Sequence, residues 1–176
     1  MTTRLGAGTT RVYIAQGEQA IGDRPDHVIT TILGSCIAVC LWSPDQSLGG
    51  MNHILLPESP GRDIAARGAG ACSMERLVNA LMKCGADRGA LRAKVFGGAS
   101  IVAGLSDIGE RNAKFVFEYL ETEQIPCLAK STGGQRARQI RFWPATGQVQ
   151  QRFVRPDEAP ALQTGPVERA NGLELL

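Results

Sequence analysis

The sequence predicts an α+β fold: a layered mixed or antiparallel β structure of about eight strands, with two main helices packed on it. Three observations carry this. Runs rich in β-branched residues cluster near the start and the end of the chain. Two segments with helical apolar spacing lie between them. No regular strand–helix alternation runs through the chain, which argues against a doubly wound parallel sheet.

The elements follow in order. Residues 1–10 lack periodicity and read as a loose arm. Arg11 to Ala15 reads as a short strand, and Gln16 to Asp26 as a polar connection broken by Gly22 and Pro25. HVITTIL, His27 to Leu33, is a β-branched strand interrupted by Gly34-Ser35. Ile37 to Trp42 is the next strand, SPDQS with Gly49-Gly50 a turn region, and Met51 to Leu56 a strand stopped by Pro57. Residues 57–71, PESPGRDIAARGAGA, read as a long loop.

Ser73 then caps a helix over 73–84, with Met74, Leu77, Val78, Leu81 and Met82 on one stripe and Gly85 as its stop. Leu91 to Phe96 is a strand. Gly97-Gly98-Ala99 ends it in a tight turn or at a close backbone approach. A second helix runs from about Gly109 to Gln124, with Ala113, Val116, Phe117 and Leu120 inward, and Pro126 forbids much continuation. Ile125 to Lys130 is a strand, followed by a turn at Gly133-Gly134. Arg138 to Trp143 and Gln148 to Val154 form a hairpin across PATG. Three prolines and an acidic bias then predict a flexible tail, so the domain expected is 1–154 with a tail over 155–176.

Composition narrows the function. A net charge of +2 is too small to argue for nucleic acid or an anionic membrane. No apolar run approaches the roughly 18–20 residues of a spanning helix. The N-terminal residues lack the apolar core of a signal peptide. A cytoplasmic protein without membrane insertion is expected. The five cysteines are irregularly spaced and read as free thiols. There is no C-x-x-C pair and no G-x-G-x-x-G or Walker pattern, so neither a metal nor a nucleotide cofactor is expected.

Reactive side chains concentrate between Thr30 and Pro57. A nucleophilic thiol needs a base, a group to hold that base, and donors for the oxyanion. Cys36 supplies the thiol and His53 the base. Thr30 or Thr31 can hold the imidazole, and Gly34 lets the N–H groups around Ser35 and Cys36 face an oxyanion. Spacing leaves Cys40 in competition. In a simple hairpin closed around 43–50, His53 faces a residue near Cys40, with Cys36 roughly 13 Å further along at about 3.3 Å per residue.

The motifs LGSCIAVCLWSP and GGMNHILLP, then KVFGGA at 94–99, IGERN at 108–112, Gly133-Gly134 and RQIRFWPATG at 138–147, resemble the CheD family of chemoreceptor glutamine deamidases. The resemblance covers about residues 11–154 in family order. It implies a CheD-like cysteine hydrolase fold without a cofactor. It places the nucleophile on Cys36, the histidine on His53 and the third catalytic residue on Thr30 and not Thr31, and makes Cys40 a core thiol. It implies chemoreceptor cytoplasmic domains as substrate and a CheC-type phosphatase as a further partner. The rival reading is a regulatory module for such a phosphatase, with deamidation weak or lost. A thiol hydrolase of the same fold on another substrate is a third. One departure stands out: relatives often carry an acidic residue before the late glycine pair, where this chain has Ser131-Thr132, and Ala137-Arg138 replaces their Gly-Arg.

Overall fold

The computed structural model describes residues 8–57, 63–101 and 107–155. Within them the chain forms nine strands and two helices in an α+β arrangement. The strands are β1 Thr10–Tyr13, β2 Gln19–Gly22, β3 His27–Leu33, β4 Ile37–Ser43, β5 Leu48–Ile54, β6 Arg92–Gly97, β7 Cys127–Thr132, β8 Arg138–Trp143 and β9 Gln148–Phe153. The helices are α1 Asp63–Lys83 and α2 Asp107–Thr122. No helix among the described residues is long and apolar enough to cross a membrane.

The strands make two mixed sheets, one ordered β1-β3-β8-β9 and the other β2-β5-β4-β6-β7. Side chains alternate along β4 and sort into two cores. Ala38, Cys40 and Trp42 join Ile29, Leu33, Ile140 and Phe142 between the sheets. Ile37, Val39 and Leu41 point the other way, onto Met74, Leu77 and Leu81 of α1 and Phe115, Val116 and Leu120 of α2. The result is three layers: sheet, sheet, helices. Being covered on both faces, β4 is buried along its whole length. The chain passes from the first sheet to the second through the bend Gly34-Ser35-Cys36, between the end of β3 and the start of β4. That bend places Cys36 at the corner where the two sheets meet.

Three expectations change. Residues 63–71 are helical, so α1 begins about ten residues before the expected Ser73 cap. DIAARGAGA has no apolar stripe to announce a helix because its contact is made by small residues. A Cβ on Gly70 would lie 2.5 Å from the Phe115 ring, so here glycine lets α2 approach rather than breaking α1. The expected polar connection 16–26 contains β2, which pairs antiparallel with β5. Gly49 and Gly50 are strand residues, not turn: a Cβ on Gly50 would meet Leu77 Cδ1 at 2.8 Å, and one on Gly49 would meet Leu41 O at 2.8 Å. The β4–β5 connection is only the 3-10 turn Pro44–Gln46, closed by Ser47 in the left-handed region. The first seven residues of the expected arm, part of the expected loop at 58–62, and the expected tail from 156 on lie outside the described residues.

Candidate active site

The tight β4–β5 turn fixes the register that matters most. Ala38 pairs with His53, and Cys40 with Met51. Cys36 therefore lies two positions from His53's direct partner, not four. Diagonal neighbours across an antiparallel pair are roughly 7–8 Å apart at the backbone, within reach of a cysteine and an imidazole turned toward each other. Cys36 packs with the inter-sheet core, on the side that Ala38 and Cys40 share. Cys40 is fully buried in that core, and burial drives its thiol far above the ordinary range.

His53 is nearly buried, at 6% exposure, and faces the first sheet. Its Nδ1 lies 2.8 Å from Thr31 Oγ1. The same hydroxyl lies 2.7 Å from the Ile14 carbonyl, which can only accept. The single hydroxyl proton of Thr31 thus goes to Ile14, and Thr31 Oγ1 accepts from His53 Nδ1–H. The neutral imidazole is then the Nδ1–H tautomer, with a free lone pair on Nε2.

The resemblance pointed to Thr30, but the contact is made by Thr31. Thr30 Oγ1 donates to the Ile140 carbonyl at 2.9 Å. Strand alternation explains the difference: Ile29, Thr31 and Leu33 share the inner face of β3, and Thr30 lies on the other.

A turn at residues 15–18 closes beside His53. Glu18 N–H donates to Ala15 O, Gly17 N–H to His53 O at 2.8 Å, and His53 N–H to Glu18 O at 3.0 Å. Gly17 takes φ +82, which the turn requires. This anchored turn brings the Gln16 side-chain oxygen to 3.9 Å from Cys36 Sγ. Gln16 carried no motif signal, and only the folded turn reveals its position.

The Cys36 bend is clamped from outside. Gly34 O accepts from Ala99 N–H at 2.9 Å and Cys36 O from Gly98 N–H at 2.8 Å. Ser35 O accepts from Asn112 Nδ2 at 2.8 Å. The expected close backbone approach at Gly97-Gly98-Ala99 is thus made to the Cys36 bend itself. The Gly133-Gly134 turn supports the clamp, with Gly133 N–H donating to Gly97 O and Ser100 N–H to Gly134 O. At the position where the resemblance implies an acid, Ser131 accepts from the buried Arg138 guanidinium through its Oγ at 3.0 Å, and the carbonyls of Ser131 and Gly133 also accept from Arg138.

Electrostatics keep both reactive groups neutral at rest. Burial pushes the Cys36 thiol up to about 11, opposed in part by its own backbone N–H. Burial pushes His53 down to about 4, against the Ile14 carbonyl and the Glu18 carboxylate, which favour the cation. An attack by this thiol would therefore need its proton to pass to a base such as the imidazole as the attack proceeds. One pH dependence follows. Below about 11 the Cys36 thiolate fraction falls tenfold per pH unit, so alkylation of Cys36 by iodoacetamide should rise about tenfold per unit from pH 6 to 9, with no inflection near 6.5. Peptide mapping of the alkylated cysteine reads this rate. A rate that stays level down to pH 6 would mean a preformed thiolate–imidazolium pair.

The family model described as CheD chemotactic sensory transduction matches residues 55–153. Relatives match over a longer span. A Caulobacter sp. (strain K31) protein is 49% identical over 86% of this chain and 81% of its own. One from Caulobacter vibrioides (strain NA1000 / CB15N) is 50% identical over 85% and 81%. One from Agrobacterium fabrum is 47% identical over 93% and 92%. All three bear the name probable chemoreceptor glutamine deamidase CheD. The chain belongs to the CheD family. Among solved structures, a Neisseria meningitidis protein aligns over 72% of this chain and 65% of its own, at 9% identity and a TM-score of 0.48, a likeness too weak to add to the topology above. The CheD match includes both segments that clamp the Cys36 bend, KVFGGA and IGERN.

Proposed function

We propose that this CheD-family chain is a chemoreceptor glutamine deamidase, a protein-glutamine glutaminase that acts in the cytoplasm on the receptor's helical domain. The names of its relatives support this reading. The observation that carries it is the relay Ile14 O, Thr31, His53 across from the Cys36 bend. The deamidase unit is assigned to residues 1–154.

In the proposed reaction, His53 Nε2 takes the Cys36 thiol proton as Sγ attacks the side-chain amide carbon of a receptor glutamine. The N–H groups of Ser35 and Cys36, with Gly34 giving the bend its shape, hold the oxyanion. His53 returns the proton to the departing nitrogen, and ammonia leaves a thioester on Cys36. His53 then activates water, which releases glutamate and restores the thiol. Thr31 takes the orienting role that the resemblance gave to Thr30. That an amide fits beside the thiol is supported by Gln16, whose own amide oxygen rests 3.9 Å from Sγ. A glutamyl methyl ester differs only in its leaving group and would follow the same route.

The test incubates purified protein with a chemoreceptor cytoplasmic fragment and weighs the fragment. Each glutamine converted adds about 1 Da and releases one ammonia. A fragment of unchanged mass would overturn the deamidase reading and favour a regulatory module for a CheC-type phosphatase.

A further inference from the structure

The motif IGERN contributes no group to the relay or the nucleophile, yet its asparagine reaches the Cys36 bend. Asn112 lies on α2 and is 1% exposed. Its Nδ2 donates to Ser35 O at 2.8 Å, and its Oδ1 accepts from Leu56 N–H at 3.1 Å. The amide is thus fixed at both ends. The helix comes close enough because Gly109, one turn earlier, lies against the Gly98 carbonyl, where a Cβ would stand 2.4 Å away.

In a trans peptide the carbonyl of one residue and the N–H of the next point in opposite directions. Holding the Ser35 carbonyl outward therefore directs the Cys36 N–H inward. The Ala99 N–H does the same for the Ser35 N–H by holding Gly34 O. The inward direction is consistent with Cys36's own N–H acting on its sulfur.

We infer that Asn112 is a positioning residue for the oxyanion: through the Ser35 carbonyl it sets the direction of the Cys36 N–H. Of the two inward amides, this is the one set by a side chain, so it is open to mutation. The inference rests on the nucleophile assigned under the proposed function but not on receptor turnover.

The experiment compares two reactions of Cys36. Acylation by p-nitrophenyl acetate passes through a tetrahedral oxyanion. Alkylation by iodoacetamide is a direct displacement and forms none. Both are followed at Cys36 by peptide mapping in wild type, Asn112→Asp and Asn112→Ala. Aspartate keeps the size and, when ionised, can still accept from Leu56 N–H but cannot donate to Ser35 O, so, with both reactions read at alkaline pH, it carries the test if alanine prevents folding. The expected result is a ratio of acylation to alkylation that falls about 10- to 100-fold in Asn112→Asp, with alkylation within about twofold of wild type. On receptor fragment, kcat should fall by a similar factor with KM little changed. An unchanged ratio, or acylation and alkylation falling together, would overturn the inference and leave Asn112 a packing residue. A wild-type protein that acylates at Cys36 but never deamidates receptor fragment would sink the deamidase reading while leaving this one standing.

Discussion

The His53→Ala protein is expected to lose about 10²- to 10⁴-fold in kcat on receptor fragment, because both proton transfers of the proposed reaction pass through its imidazole. The thiol cannot compensate. With Cys36 raised to about 11, very little thiolate exists at neutral pH without the base. The more pointed comparison lies one residue apart on β3. Thr31→Val removes the acceptor that holds His53 Nδ1–H and frees the ring to turn or change tautomer, so kcat should fall about 10- to 100-fold. Thr30→Val removes a hydroxyl bonded to Ile140 O on the opposite face. It should cost about 1 kcal/mol of stability and leave kcat within about threefold. Steady-state ammonia release with a chemical denaturation curve measures both. If Thr30→Val were the inactive protein, the assignment of the relay to Thr31 would be wrong.

The largest stability effect is expected at Gly97. Its φ is +114, and a Cβ there would sit 2.2 Å from the Cys36 carbonyl oxygen and 3.3 Å from Ile37 Cα. Both neighbours are backbone, so no side chain can swing away. Gly97→Ala should destabilise the protein by about 3–5 kcal/mol, since strain and a clash add together. What relief is possible must displace Cys36, so activity should fall even at temperatures where the protein stays folded. Gly133 provides the control. It also has positive φ, +81, but open space around its Cβ position. Gly133→Ala should cost only about 1–2 kcal/mol, the strain alone. Urea midpoints of the two variants give the comparison. Equal losses would show that the contact with Cys36 O does not matter.

Much of the fold was legible because its strands carry strong local signals. HVITTIL is observed as β3 and RQIRFW as β8, both β-branched or alternating. What escaped is held by tertiary contact. QAIG is too short and too mixed to announce β2, and only β5 makes it a strand. The first half of α1 meets the rest of the fold through Gly70, against Phe115 of α2, and through Ala66, and such small residues read as loop. At the site, one signal the sequence does not carry is register. Treating 43–50 as the turn put His53 near Cys40, whereas strand pairing continues to Ser43 and Leu48 and moves its partner to Ala38. The other signal was present in the alternation of β3. Thr31 shares the phase of the core residues Ile29 and Leu33, and Thr30 does not. Asn112 and Gln16 were beyond reach from sequence, because both meet the Cys36 bend through contacts far apart in the chain.

Most direct is the mass of a receptor cytoplasmic fragment after incubation with wild type, Cys36→Ala and Cys40→Ala. The expected result is a gain of about 1 Da per converted glutamine with wild type and Cys40→Ala, and none with Cys36→Ala. A gain that survives Cys36→Ala, or disappears in a folded Cys40→Ala, would contradict the assignment of Cys36 as the nucleophile.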